Sequence, residues 1–160
     1  MVSLDTIFVQ IASYRDPQLA PTITDCIKKA AYPDRLRFGI CWQRDSAENL
    51  DSFINDKRFQ ILIYHWSESR GLCWARSQTQ SLYRGETYTL QIDSHVRFAP
   101  NWDELLIGML PLTESKKPLL TAYPAPFDPL DETTLPNIPH KIVPNFFTPE
   151  GLIYFRPEKI

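Results

Sequence analysis

Four stretches of the chain carry the hydrophobic pattern of β-strands, and each is followed by a segment with helical spacing. Residues 6–12 (TIFVQIA) are almost continuously apolar, which is typical of a buried parallel strand. Residues 36–42 and 59–65 repeat this pattern, whereas residues 88–93 (YTLQID) alternate apolar and polar side chains. Strands that alternate with helices predict an α/β fold, a Rossmann-like sandwich with a mostly parallel central sheet flanked by helices.

Polar residues after the predicted strands mark where the helices begin. Asp16 can cap a helix that starts near Pro17. Residues 45–48 (DSAE) match a capping box, so we interpret Asp45 as a cap and not as a ligand-binding residue. Asn101 is expected to begin the fourth helix, with a glutamate three residues on. The apolar side chains of that helix fall on one face that we expect to cover the sheet: Trp102, Leu105, Leu106, Met109 and Leu110.

The last part of the chain differs in composition, because ten of the fourteen prolines lie in residues 111–160. Residues 118–123 predict a further short strand, and regular secondary structure is not expected through residues 125–139. The apolar residues near the end predict a strand or hairpin that returns to the sheet. We therefore expect a single domain over residues 1–160, with its core in residues 1–110 and a proline-rich loop and terminal strand after it.

Composition indicates a folded protein without a bias of charge. Of 160 residues, 43% are hydrophobic and 12% aromatic, which are values of a globular domain that buries a core. The 17 basic and 19 acidic residues give a net charge of −2, which argues against general binding to nucleic acid or to a membrane surface. No apolar stretch reaches the length of a membrane-spanning helix.

The amino terminus and the cysteines indicate in which cellular compartment the protein is expected. Residues 1–5 (MVSLD) lack a basic region followed by an apolar run, so no signal peptide is expected. Cys26, Cys41 and Cys73 are widely spaced and odd in number, so we interpret them as reduced thiols and not as a disulfide framework or a zinc site. We expect a cytoplasmic protein.

The strand at residues 88–93 ends in two residues with metal-binding chemistry, Asp93 and His95. They are two positions apart, so in an extended segment both side chains project to the same side. A carboxylate and a neutral imidazole presented together can bind Mn²⁺ or a similar divalent cation. In open α/β sheets, ligands collect at the carboxyl ends of strands. The alternative interpretation is that Asp93 caps a turn and His95 is an ordinary loop histidine.

Three segments resemble, in order and spacing, the Skp1 hydroxyproline N-acetylglucosaminyltransferase-like family: residues 8–16 (FVQIASYRD), 36–43 (LRFGICWQ) and 91–98 (QIDSHVRF). They span roughly the first hundred residues. Members are cytoplasmic-type glycosyltransferases with the GT-A fold, distantly similar to polypeptide GalNAc-transferases. The resemblance implies a GT-A-type sandwich. It also implies metal-dependent transfer of a hexose, with GlcNAc as the first candidate, from a UDP-sugar to a hydroxyl. The anomeric configuration would be retained.

The same resemblance implies roles for residues at the strand ends. Asp93 and His95 correspond to the family's metal motif, so they would hold a divalent cation, Mn²⁺, on the diphosphate of a UDP-sugar. Residues 71–76 (GLCWAR) resemble a further family segment, which implies that Arg76 and Arg70 face the diphosphate. The alternative interpretation is that one of the two is a solvated surface arginine. No catalytic nucleophile is indicated. The implied nucleotide-sugar site comprises Ser13, Tyr14, Arg15, Gln43, Arg70, Arg76, Asp93 and Ser94.

Members of the family continue through segments that build the acceptor site and supply a third metal ligand, and nothing in this sequence resembles them. We therefore expect the donor-binding half of a longer enzyme, with its activity an open question. The alternatives are a non-catalytic UDP-sugar-binding module and an inactive remnant or interaction domain. The expected partners are a UDP-sugar donor and a protein or glycan hydroxyl acceptor. An apolar face left uncovered would also favour self-association or a partner chain.

Overall fold

The structure is a computed structural model, and it describes residues 5–45, 49–122, 124, 127–129 and 140–159. The chain divides into two compact units, Met1–Leu105 and Leu106–Ile160. The expectation of a single domain stays a prediction. No helix in the described part of the chain is long and apolar enough to cross a membrane.

The first unit is built on a four-stranded sheet in which every pairing is parallel. The order across the sheet is β3-β2-β1-β4, so consecutive strands are joined by crossovers that carry helices. The α/β, Rossmann-like prediction is confirmed, and each predicted strand lies within two residues of the observed one. The strands are β1 (Ile7–Tyr14), β2 (Leu36–Arg44), β3 (Phe59–His65) and β4 (Tyr88–Asp93).

The central strands β1 and β2 form the core of this unit. Each has a strand on both sides, and their side chains are buried almost throughout, which explains why their sequences are apolar runs. Strand β4 lies at the edge of the sheet, and it alternates half-buried with exposed side chains. The alternating sequence pattern of residues 88–93 therefore corresponds to a strand with one half-buried and one exposed face, whereas β3, at the other edge, has an apolar sequence.

Three helices connect the strands and a fourth follows β4: α1 (Leu19–Lys29), α2 (Asp51–Ile54), α3 (Leu72–Gln80) and α4 (Trp102–Met109). Helix α3 packs on β1 and β2. A glycine is needed beneath it, because a Cβ atom at Gly39 would lie 2.4 Å from Cζ of Phe8 and 3.3 Å from the carbonyl oxygen of Thr79. The ring of Phe8 fills that space.

The predicted start of one of these helices is wrong. The first helix begins at Leu19, near Pro17 as expected, but the second begins only at Asp51. Asp45 is therefore not a helix cap, and it contacts Arg15 instead, while residues 46–48 lie outside the described part of the chain.

The fourth helix is anchored by its first turn and not along its apolar face. Trp102 is 4% exposed, as expected, and its Nε1–H donates to the carbonyl of Cys26 at 2.9 Å. Leu105 and Met109 are 56% and 51% exposed, so the prediction that they cover the sheet is wrong. The buried carboxylate of Asp103, next to Trp102, instead attaches the start of the helix, because it accepts hydrogen bonds from the N–H of Ala31 and from Nε of Arg35.

The second unit contains an antiparallel hairpin of β5 (His140–Phe147) and β6 (Ile153–Lys159). The predicted terminal hairpin is confirmed. Within the described residues it forms a two-stranded sheet of its own, so its predicted return to the main sheet is wrong. Residues 118–122 are not a strand, in contrast to the prediction, and residue 123 lies outside the described part. The predicted irregular segment, residues 125–139, falls almost entirely outside it as well.

Candidate functional site

The carboxyl ends of the four parallel strands lie along one edge of the sheet, and the register places the predicted site residues there. Ala12 on β1 is paired with Asp93 on β4, and Tyr14 is paired with Gln43 on β2. The sheet thus brings three predicted segments of the site to one edge, although they are separated by up to 80 positions in sequence.

Ser13 and Gln43 lie inside the protein at this edge. They are 0% and 3% exposed, and Nε2 of Gln43 donates to the carbonyl of Ser13 at 3.0 Å, which ties β1 to β2. Within the described residues, Oγ of Ser13 and Oε1 of Gln43 have no hydrogen-bond partner. Each residue therefore keeps one polar atom unsatisfied, which is uncommon for buried side chains.

Tyr14 and Arg15 form the exposed end of β1. Tyr14 is 50% exposed, and Arg15 has a positive φ of 47°, which is rare for a residue with a side chain. The N–H of Arg15 donates to the carbonyl of Gln43 at 3.0 Å. Its Nε contacts Asp45 at 3.3 Å, and its guanidinium lies 5.0 Å from the ring centroid of Trp66. Contacts to the ends of β2 and β3 thus fix the side chain at the surface.

Only one of the two candidate arginines contacts the metal-motif segment. Nη2 of Arg76 on α3 lies 3.4 Å from Oδ1 of Asp93, and both side chains are partly exposed. Arg70 lies before α3 and is exposed, and among the described residues it has no hydrogen bond or ion pair. The structure therefore joins Arg76, and not Arg70, to the end of β4.

Asp16 links the end of β1 to the segment after β4. Its Oδ2 accepts hydrogen bonds from Oγ of Ser94 at 2.6 Å and from Nδ1 of His95 at 2.7 Å, and its Oδ1 accepts from the N–H of Gln18 at 2.9 Å. Burial raises the pKa of Asp16, but these three donors outweigh it and hold the pKa below its ordinary value. The carboxylate is thus kept ionised beside His95.

Asp16 was predicted to cap a helix, and that prediction is wrong. The residue at the observed N-cap of α1 is Gln18, so Asp16 is not the cap, although one of its oxygens accepts the N–H of Gln18 in the turn before the helix. The other oxygen reaches residues 78 and 79 positions further along the chain. The only sequence signal was the position of Asp16 just after a strand that proved to neighbour β4, and strand order was not predicted.

The segment that carries His95 is held along helix α1. Oγ1 of Thr22 donates to the carbonyl of Ser94 at 2.8 Å and accepts from the N–H of Val96 at 3.1 Å. Oδ2 of Asp25 accepts from the N–H of Phe98 at 2.7 Å. These side chains satisfy backbone groups that the strand no longer pairs, so the loop has a defined path after β4 ends.

A cleft of about 230 Å³ opens beside Asp16, between the start of α1 and the loop before α2. Its lining includes Leu19, Trp42 and Leu50, all fully or nearly buried. This volume is below the roughly 300–1,000 Å³ of typical small-molecule sites. A nucleotide-sugar would therefore occupy open surface at the strand ends in addition to this cleft.

Comparison with protein families gave one match. The model of the family described as Glycosyltransferase (GlcNAc) matches residues 6–56 and 49–158, which together span nearly the whole chain. The chain belongs to this family. Membership in the GlcNAc glycosyltransferase family confirms the coarser part of the sequence-based prediction, a glycosyltransferase-like protein, and implies a nucleotide-sugar donor and an acceptor. Comparisons with curated proteins and with solved structures gave no significant match.

The oxygen and nitrogen atoms of the side chains at the end of β4 are of the types that bind a divalent cation. The side chains of Asp93 and His95 are 58% and 61% exposed. They contact different partners, Arg76 and Asp16, and within the described residues no hydrogen bond joins them. The described part of the chain gathers no three His, Cys, Asp or Glu side chains into a metal site. The chemistry fits two protein ligands, and a closed protein-only site is not formed there.

Proposed function

We propose that this member of the GlcNAc glycosyltransferase family binds a UDP-sugar at the carboxyl ends of β1 and β4 and transfers the sugar to a hydroxyl acceptor. Mn²⁺ or a similar cation would be held by Asp93 and His95, and UDP-GlcNAc is the donor we propose. The observation that carries the proposal is an exposed carboxylate and an exposed imidazole at one strand end, beside the guanidinium of Arg76.

The charges at this edge support a diphosphate ligand. A bound cation would neutralise the diphosphate that leaves with the nucleoside, and so stabilise the developing charge. Arg76 lies 3.4 Å from Asp93, so a diphosphate held next to that carboxylate would come within reach of the guanidinium. A planar guanidinium is well suited to two phosphate oxygens at once. We assign Arg70 to the same role on the resemblance alone.

The nucleoside is proposed to lie against the exposed end of β1. Tyr14 and Arg15 are the exposed residues there, and the left-handed backbone of Arg15 is the type of strain that collects at functional sites. Ser13 and Gln43 lie beneath them. Because these side chains are buried, their unsatisfied polar atoms would reach a nucleobase only if the ends of the strands rearranged locally. We therefore assign Ser13 and Gln43 to supporting positions.

Three finer features rest on the sequence resemblance: retention of configuration, a protein or glycan hydroxyl as acceptor, and a cytoplasmic location. A second candidate function is UDP-sugar binding without transfer. It is favoured by one observation, that the described residues offer two candidate metal ligands at β4 and form no group of three His, Cys, Asp or Glu side chains that could hold a metal; the nearby carboxylate of Asp16 contacts Nδ1 of His95 instead.

Calorimetric titration with UDP-GlcNAc, with and without Mn²⁺, tests the donor site. We expect binding that requires Mn²⁺ in the wild-type protein and that is weakened in Asp93→Ala. Loss of a direct ligand should cost at least the roughly tenfold in affinity that is typical of losing a residue that supports a ligand. Asp5→Ala is the matched control, because it removes an exposed carboxylate just before β1, at the opposite end of the strands.

Two further results separate the candidates. Release of UDP in the presence of a hydroxyl acceptor, or slow release by donor hydrolysis, identifies a transferase. Metal-dependent binding without UDP release over hours identifies the binding module. If the folded wild-type protein binds no UDP-GlcNAc in Mn²⁺, both candidate functions are wrong.

A further inference from the structure

The geometry points to Asp16 as a positioning residue for His95: its carboxylate keeps the imidazole proton on Nδ1, so that Nε2 presents its lone pair to a divalent cation. This inference rests on the proposed function for the cation. It concerns a residue that lies outside the metal motif, 79 positions from the histidine it contacts. Ligating histidines commonly donate their other ring N–H to a carboxylate, which fixes both the tautomer and the orientation of the ring.

Asp16 is itself rigidly placed. Its side chain is only 16% exposed, and it accepts three hydrogen bonds that use both oxygens. Oδ1 is held by the backbone N–H of Gln18, and Oδ2 is held by Ser94, which is 5% exposed. The contact to His95 is therefore made by a carboxylate whose rotation is already restricted.

The ring of His95 is exposed on the side away from this carboxylate contact. Its side chain is 61% exposed, although Nδ1 lies 2.7 Å from Oδ2 of Asp16. An ionised carboxylate only accepts hydrogen bonds, so the neutral imidazole must carry its proton on Nδ1. The lone pair then resides on Nε2, and a neutral ring with that lone pair is the form that binds a metal.

His65 provides an internal contrast within the same protein. It stands at the end of β3, and its Nδ1 accepts from the backbone N–H of Ser67 at 3.4 Å. The hydroxyl of Ser67, 2.6 Å from the same Nδ1, can either donate or accept, whereas a backbone N–H only donates, so the tautomer compatible with both contacts carries the proton of His65 on Nε2. The structure thus assigns opposite tautomers to His65 and His95.

The tautomers can be read directly by ¹⁵N NMR of the imidazole rings in the full chain without metal, at about pH 9, well above the ordinary imidazole pKa of about 6.5. We expect His95 with its proton on Nδ1 and His65 with its proton on Nε2. His95→Gln assigns the signals. The wild-type spectrum alone tests the hydrogen bond, so the test does not depend on a variant that folds.

Asp16→Asn is the informative variant because it keeps the shape of the side chain. If its amide oxygen keeps the N–H of Gln18, the NH₂ group takes the place of Oδ2 and becomes a donor towards Nδ1. The tautomer of His95 should then invert, with the proton on Nε2. Asp25→Ala is the matched control, since Asp25 on helix α1 holds the same segment through the N–H of Phe98.

The consequence for the metal is measured by titration of Mn²⁺ in the presence of UDP. We expect Asp16→Asn to lower the affinity 10- to 100-fold, the typical loss when a residue supporting a metal ligand is changed. We expect Asp25→Ala to keep the wild-type tautomer and an affinity within about threefold of wild type.

Four results would overturn the inference. They are a wild-type His95 with its proton on Nε2, a tautomer that is unchanged in Asp16→Asn, an unchanged affinity in that variant, and an equal loss in Asp25→Ala. Absence of Mn²⁺ binding in the wild-type protein would overturn the proposed function itself. That result is recognised from the wild-type titration, before any variant is compared.

Discussion

Nη2 of Arg76 lies 3.4 Å from Oδ1 of Asp93, so helix α3 and the end of β4 are joined by an ion pair. The side chains are 35% and 58% exposed. At such exposure water screens the attraction, and a pair of this kind contributes about 0–1 kcal/mol to folding. The pair is therefore better suited to holding two charged groups ready for a ligand than to stabilising the fold.

Arg76→Ala should separate these two roles. We expect the melting temperature to change by no more than a few degrees, in line with a stability change below about 1 kcal/mol. We expect the affinity for UDP in Mn²⁺ to fall at least about fivefold, because a charge-assisted phosphate contact of roughly 1 kcal/mol or more is lost. Arg84→Ala, at an exposed position just before β4, is the control. Equal affinities for the two variants would contradict the role of Arg76.

Gly39→Ala should destabilise the sheet. The added Cβ would lie 2.4 Å from Cζ and 2.7 Å from Cε2 of Phe8, and α3 closes the space from above through the carbonyl of Thr79 at 3.3 Å. Overpacking of this kind costs about 1–3 kcal/mol, which urea denaturation would measure. Gly108→Ala is the contrast, since no atom lies within 4 Å of its Cβ position and it stands in helix α4. It should raise stability by a few tenths to about 1 kcal/mol.

Asp103→Asn should be among the most destabilising single-atom changes in the chain. The carboxylate is fully buried and accepts from the N–H groups of Ala31 and Tyr32 and from Nε of Arg35 at 2.7, 3.0 and 2.9 Å. Removing its charge leaves the buried guanidinium of Arg35 without compensation, at a cost of about 3–5 kcal/mol in the free energy of unfolding. In Asp56→Asn, which disrupts the more exposed pair with Arg58, the loss should be about 1 kcal/mol or less.

The same carboxylate predicts a loss of stability in acid. Burial raises the pKa of Asp103, but the two backbone N–H groups and the charge of Arg35 outweigh it, so the pKa lies below its ordinary value of 3.8. The group therefore stabilises the folded protein fully above that value, and the contribution disappears as the pH falls through the lower, folded-state pKa. Urea midpoints measured from pH 6 downwards should fall less steeply in Asp103→Asn than in wild type. Parallel curves would contradict this assignment.

Thiol reactivity should distinguish the three cysteines. Cys73 is exposed, whereas Cys26 and Cys41 are buried. Burial raises the pKa of Cys41 to about 11, and burial together with the charges of Asp25 and Asp103 raises that of Cys26 further. Because the thiolate is the reactive form, a disulfide reagent at neutral pH should modify one thiol per folded chain and three after denaturation. A Cys73→Ser variant should not react before it unfolds.

The sequence by itself determined the elements of the first unit and its class. Continuous apolar runs in β1 and β2 correspond to strands that are buried on both faces, and alternation in β4 corresponds to a strand with one half-buried face. The apolar run of β3 did not predict its burial, because β3 lies at an edge of the sheet and is mostly half-buried or exposed. The burial of Trp102 followed from the same periodicity. The exposure of Leu105 did not, because an apolar stripe predicts a face suited to burial and says nothing about which surface is present to cover it.

The tertiary structure alone decided how the site is assembled. Asp93 and His95 stood out because they are two positions apart, but their partners Arg76 and Asp16 come from other segments. Asp16 had a sufficient local interpretation as a helix cap, so its position in the sequence did not indicate a second partner. The contact between Asp16 and His95 depends on β4 pairing with β1, and long-range strand order has no signature in a local pattern of residues.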